Sequence, residues 1–260
     1  MLTETFNQKE ERPEVLLANV VNVIDSAKND DRISILVLKL DQLAGANLSK
    51  LQDIGVALIA FKEAGKKIIA LGDQYSQSQY FMASFADEIW LDPQGFMLLD
   101  GFGSYQLYFK TALEKLSVSQ HVFRVGTYKS AVEPYIRDNM SDEAKTANKL
   151  WLGDLWHQYK QDVARNRGFD IDNFDETVEK LIAKFTASNS NYAEYALTNG
   201  WVDSLKTRDQ MRSELINLVG KNANGKDFNY IHYKDYLSAT TSPLKAMDLG
   251  NDKVAVIVAK

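Results

Sequence analysis

Apolar residues recur at helical spacing behind Pro13, at Leu16, Val20, Val23, Ile24 and Ala27, which predicts an amphipathic helix stopping near Asn29-Asp30-Asp31. ISILVLKL at 33–40 is continuously apolar and β-branched, the pattern of a strand buried on both faces. Leu48, Leu51, Ile54 and Leu58 mark a second helix that Gly65 ends, and KIIAL at 67–71 reads as another buried strand. A helix from about Gln74 to Phe85, a short strand EIWLD at 88–92 closed by Pro93-Gln94-Gly95, and a helix from Ser104 to about Leu116 continue the series. The alternation Val122-Phe123-Arg124-Val125 then predicts a strand ending at Gly126. Repeated strand-turn-helix units of this kind predict an α/β fold on a parallel sheet.

The second half changes rhythm. Ser141 is positioned to cap a long helix with Asp142 and Glu143 in its first turn and Leu152, Leu155, Trp156, Tyr159 and Val163 on one side, ending near Asn166-Arg167-Gly168. Shorter helices follow at about 174–186, 190–199 and 209–219, with NGWVDSL turning into a short extended piece between the last two. The polar stretch from Asn222 to Gly250 ends in a linker, and VAVIVA at 254–259 has the pattern of a new strand. The organisation is therefore a unit over 1–240 and a linker with the first strand of something further over 241–260.

Composition narrows the function classes. With 45% hydrophobic and 11% aromatic residues, 260 residues suffice for a substantial core. A net charge of −5 with interspersed lysines and arginines argues against nucleic acid as a partner. The absence of cysteine excludes thiolate chemistry and permits an oxidising compartment. The longest apolar runs, VALIAF at 56–61 and VAVIVA, fall far short of the roughly 20 residues that span a bilayer. Neither end has the character of a natural boundary: the polar start lacks a signal-peptide pattern and the chain stops on a strand-like run, so both read as cuts in a longer protein.

Few residues then qualify for chemistry. His121, His157 and His232 lie far apart with no partner at ligand spacing, so no metal is called for, and no glycine-rich phosphate loop points to a nucleotide or other cofactor. Ser242-x-x-Lys245 sits in the linker around a proline and is discounted. Gly45, in the turn DQLAGANLS at 41–49, would let backbone amides approach a ligand, and YSQSQYF at 75–81 opens a helix after a strand, where free N–H groups favour a nucleophile or anion. The stretch VFRVGTYKSAVEPYIRDNMS at 122–141 delivers Lys129 into a loop between Gly126 and Pro134, which is expected to keep Glu133 out of a helix. An isolated lysine is ordinarily a solvated one. As a general base it would have to be neutral, and Val125, Tyr128, Val132 and Tyr135 are the neighbours available to desolvate it.

HVFRVGTYKSAVEPYIRDNMS, YSQSQYFMASFADEIWLDPQG and the NGWVD turn, in this order, closely resemble the first repeat of the signal peptide peptidase A family (the protease IV type) in its long two-repeat bacterial form. The resemblance implies a Ser-Lys dyad peptidase of the crotonase and Clp-protease fold superfamily, in which the first repeat supplies the lysine base and the second the serine nucleophile. Carried over by position, Lys129 is the base. The second repeat's serine turn corresponds here to Ser76-Gln77-Ser78-Gln79-Tyr80, with Gln77 in the nucleophile's slot, and of a pair of oxyanion glycines only Gly45 is kept. It further implies peptide substrates, namely signal-peptide remnants, a C-terminal repeat of the same protein as partner, and a homo-oligomer, a tetramer in the long form. The implied location is the inner membrane, reached through an N-terminal anchor, with the catalytic part facing the periplasm. Alone, the 260 residues are expected to be inactive. Two other readings stay open: a non-catalytic oligomerisation module built on the helices of 141–219, and, by fold analogy, a crotonase-like acyl-CoA enzyme.

Overall fold

A computed structural model describes residues 14–241. Its centre is a four-stranded, wholly parallel sheet in the order β1 (Ile35–Lys39), β2 (Lys67–Ser76), β3 (Glu88–Leu98), β4 (Ser204–Leu205). Consecutive residues of β2 and β3 alternate between two cores, as the two-residue period of a strand requires. Ile68, Ala70, Ile89 and Leu91 face the larger one, with Leu58, Phe61, Tyr80 and Phe81, while Ile69 and Trp90 face a smaller one closed by Met211 and Leu215. The last two belong to α9 (Arg208–Val219), so that helix covers the second face of the sheet.

The helices on the larger face are α1 (Leu17–Lys28), which precedes the sheet, and the crossovers α2 (Leu48–Glu63) and α3 (Gln77–Ala83). α1 packs against α2 through Val23, Ile24 and Ala27, the stripe its spacing predicts. β1 is half-buried rather than buried on both faces, because it is an edge strand with a neighbour on one side only. α10 (Tyr233–Thr240) returns to α1, where the Tyr236 hydroxyl donates to Asp30 Oδ2 at 3.0 Å.

Several expectations need correction. β2 runs to Ser76 and β3 runs through Pro93 to Leu98, because their pairing resumes at Gln74–Phe96 after an irregularity between Gly72 and Gln74; α3 consequently begins at Gln77, not Gln74. The helix expected over 104–116 is confined to α4 (Lys110–Lys115), and 122–125 forms no strand. Neither segment finds a surface to pack on among the described residues: Tyr105, Phe123 and Val125 are 99%, 97% and 84% exposed, and β4 occupies the β3 edge beside Trp90 and Leu91. A strand without a partner leaves its peptide groups unpaired by protein, and water takes them instead. Pro134 does not exclude Glu133 from a helix either. Glu133–Ile136 forms the short α5, with proline in the first turn, where its missing N–H is not needed.

The helical half follows its local signals. Ser141 Oγ accepts from the Ala144 amide at 3.1 Å and starts α6 (Asp142–Arg167), which Gly168 ends in the left-handed conformation. A 3₁₀ turn (Ile171–Phe174), α7 (Val178–Ala187) and α8 (Tyr192–Thr198) follow, and α8 packs on β3. Residues 242–260, with the expected linker and the VAVIVA strand, lie outside the described residues.

Candidate active site

Lys129 stands on an exposed turn that begins at Gly126, whose φ of +106° disfavours any residue with a Cβ. The Lys129 amide donates to the Gly126 carbonyl at a long 3.4 Å, and the Arg124 guanidinium donates to the Lys129 carbonyl at 3.0 Å. Phe123, Arg124, Val125, Tyr128 and Val132 line a depression of about 530 Å³ beside it. Among the described residues the Lys129 ammonium has no hydrogen-bond or ion-pair partner. Of the four neighbours expected to desolvate it, Val125, Tyr128 and Tyr135 are themselves exposed and only Val132 is half-buried.

The loop is tied back to the fold below the lysine. The Phe109 amide donates to the Pro134 carbonyl at 2.7 Å, and Thr111 donates through its amide and hydroxyl to Asp138 at 2.9 and 2.8 Å, so α4 and α5 hold each other. Glu133 is 1% exposed. Its Oε2 accepts from the Ser141 amide at 3.1 Å, and its Oε1 lies 3.8 Å from Arg124 Nη1 without a hydrogen-bond partner. Burial works to raise this carboxyl's pKa, but the hydrogen bonds from Ser141 and the charges of Arg137 and Arg124 prevail and hold it below its ordinary value.

The turn between β2 and α3 is held by its own hydrogen bonds. Ser76 and Gln79 form a reciprocal cap: the Ser76 amide donates to Gln79 Oε1 at 2.8 Å and the Gln79 amide donates to Ser76 Oγ at 3.5 Å. Gln79 Nε2 also donates to the carbonyls of Leu40 at 2.9 Å and Leu43 at 3.3 Å, so this turn and the loop bearing Gly45 are brought together. Gln77 is engaged at both ends: its Oε1 accepts from the Gly101 amide at 2.7 Å, and its carbonyl accepts from the Tyr159 hydroxyl at 2.9 Å. Burial pushes the Tyr159 phenol well up, which keeps it a neutral donor. Gly45 itself has a φ of +151° and open space where a Cβ would stand.

Sequence reasoning singled out Lys129 and gave no role to Glu133, Arg124 or Gln79. The Ser76-x-x-Gln79 spacing is a capping-box signal legible in the chain; for Glu133 the only local cue is the following proline. Among the described residues there is no group of three or more His, Asp or Glu placed to hold a metal, and no helix is long and apolar enough to cross a membrane.

Comparison with known proteins bears on these features. Residues 60–222, which include the Ser76 turn and the Lys129 loop, match the model of peptidase family S49. The chain is 42% identical over 239 residues to a protein named Protease 4 from Haemophilus influenzae, covering 92% of this chain and 38% of that protein. It is 42% identical over 220 residues to Protease 4 from Salmonella typhi, covering 85% and 36% respectively. The chain thus spans less than two-fifths of the length of these relatives. A solved enoyl-CoA hydratase/isomerase family protein from Silicibacter pomeroyi overlaps 64% of this chain and 84% of its own at 16% identity, with a TM-score of 0.24, too slight a likeness to build on.

Proposed function

The chain belongs to peptidase family S49, and from that premise we propose that it is the lysine-donating part of a serine peptidase whose nucleophile lies outside these 260 residues. Lys129 is the general base. Neutral Lys129 Nζ takes the proton of a serine hydroxyl as the serine oxygen bonds to the scissile carbonyl carbon. The resulting ammonium returns that proton to the leaving amine as the C–N bond breaks, and an acyl-serine is left for water to hydrolyse. The substrates are signal-peptide remnants, met on the periplasmic side of the inner membrane by a homo-oligomer, and the serine is contributed by a C-terminal repeat of the same protein.

The observation that carries this reading is the setting of Lys129. It lies in a family-matched loop beside a depression whose apolar walls stand in water. A base lysine needs cover from water, and exposed apolar side chains mark a surface that another domain covers. At the other candidate turn the Ser76 hydroxyl caps a helix, and Gln77, in the slot the resemblance gives to the nucleophile, cannot attack a carbonyl. The test is Lys129→Ala in the two-repeat protein, assayed for peptide cleavage, together with a serine-hydrolase probe applied to the 260-residue chain. Loss of cleavage and no labelling are expected. Wild-type cleavage by the substituted protein, or labelling of the chain alone, would overturn the proposal.

A further inference from the structure

Glu133 is a buried carboxylate four residues after Lys129, and the proposed proton transfers do not use it. A buried carboxylate is costly unless it is paired or hydrogen-bonded. Glu133 meets that cost at two places. Its Oε2 accepts from the amide of Ser141, the residue that caps α6, where the helix dipole favours negative charge. Its Oε1 faces Arg124 Nη1 at 3.8 Å, a gap about 1 Å longer than a charge-assisted hydrogen bond. The same Arg124 Nη1 donates to the Lys129 carbonyl at 3.0 Å, and the Glu133 amide donates to the Ser130 carbonyl at 3.0 Å. Glu133 therefore holds the turn at two successive carbonyls, that of Ser130 through its own amide and that of Lys129 through Arg124, and fastens it to the start of the 26-residue α6.

We infer that Glu133 and Arg124 are a positioning pair that fixes the Lys129 loop against the N-terminus of α6. The catalytic consequence rests on the reading of Lys129 as base; the clasp itself does not. Glu133 touches neither substrate nor the lysine ammonium, and it acts through Arg124 and the loop backbone. Exposed at its tip, the turn finds no packing among the described residues to set where the lysine sits. The clasp supplies that.

Two readouts separate the clasp from the catalytic reading. In the 260-residue chain, tryptic cleavage after Lys129, followed by mass spectrometry, reports opening of the loop. Glu133→Ala and Arg124→Ala should each speed it by about fivefold or more, because cleavage tracks the population of the open form. Glu133→Gln, which keeps an acceptor for the Ser141 amide and loses the charge facing Arg124, should resemble Arg124→Ala. Should Glu133→Ala fail to fold, the partly exposed Arg124 provides the test alone. In the two-repeat protein, Arg124→Ala and Glu133→Gln should lower kcat by about tenfold or more with KM within about twofold, since a misplaced base costs rate and leaves binding intact. Unchanged cleavage after Lys129 in every variant overturns the clasp. Faster cleavage with unchanged kcat, in a protein that Lys129→Ala inactivates, overturns its positioning role. If Lys129→Ala is itself active, the base reading fails, and the clasp is judged by the proteolysis alone.

Discussion

Gln79→Ala is the most informative single perturbation of the scaffold. The side chain is 8% exposed and makes three hydrogen bonds: it accepts from the Ser76 amide and donates to the carbonyls of Leu40 and Leu43. Truncation leaves the Ser76 amide and the Leu43 carbonyl without this partner and takes one of two donors from the Leu40 carbonyl, which keeps the Leu43 amide at 2.9 Å, at the junction of β1, β2 and α3. A lost hydrogen bond costs about 1 kcal/mol net, and up to about 3 where the stranded group stays away from water. Since the Leu43 contact is long at 3.3 Å, it counts for little, and the sum comes to about 2–4 kcal/mol. For a chain of this length that corresponds to a fall of about 6–12 °C in Tm. Urea unfolding followed by tryptophan fluorescence measures it directly, with an unchanged m-value showing that the folded state is otherwise intact. Ser76→Ala, which removes the cap and leaves Gln79 in place, should cost only about 1 kcal/mol. A Gln79→Ala variant within about 0.5 kcal/mol of wild type would refute the view that this amide holds the three elements together.

Two further outcomes follow from the sheet. Gly95 is buried where β3 bends toward β2, and a Cβ there would press on the Asp73 carbonyl oxygen and lie 2.9 Å from that of Asp92; Gly95→Ala should therefore destabilise by about 3 kcal/mol in the same unfolding assay, whereas Gly153→Ala, with open space around it, should not. Hydrogen bonds from Lys67 at 2.6 Å and from the Trp90 indole at 2.8 Å hold the Glu88 carboxyl below its ordinary value of 4.5. A depressed folded pKa contributes stability that is present above the unfolded value and lost as pH falls through the folded one. The Tm difference between wild type and Glu88→Gln should accordingly be open at neutral pH and close on acidification below pH 4.5; a gap that persists at the lowest pH would refute this.

The parts of the fold legible in the sequence were those that short-range chemistry dictates. α6 begins at Ser141 and ends at Gly168 because a hydroxyl cap and a left-handed glycine act within a few residues. The extension of β3 through Pro93 was hidden, because it depends on β2 resuming its pairing at Gln74, a partner some twenty residues away in the chain. The opposite error, at 104–116 and 122–125, has the same origin. Amphipathic spacing states what a segment is able to bury and is silent on whether a surface exists to receive it. At the candidate site the sequence singled out Lys129 through the stretch around it. Glu133 was not, since its importance comes from burial against Ser141 and Arg124, a three-way meeting that no local pattern records.

The double engagement of Gln77 couples two distant parts of the chain. Its amide oxygen and its backbone carbonyl are the fixed points for the Gly101 amide and the Tyr159 hydroxyl. A shorter side chain at this position would keep the carbonyl that Tyr159 uses and lose the reach to Gly101. Residue 77 and the anchoring of the Gly101 segment therefore cannot vary independently, whatever chemistry the turn is asked to host.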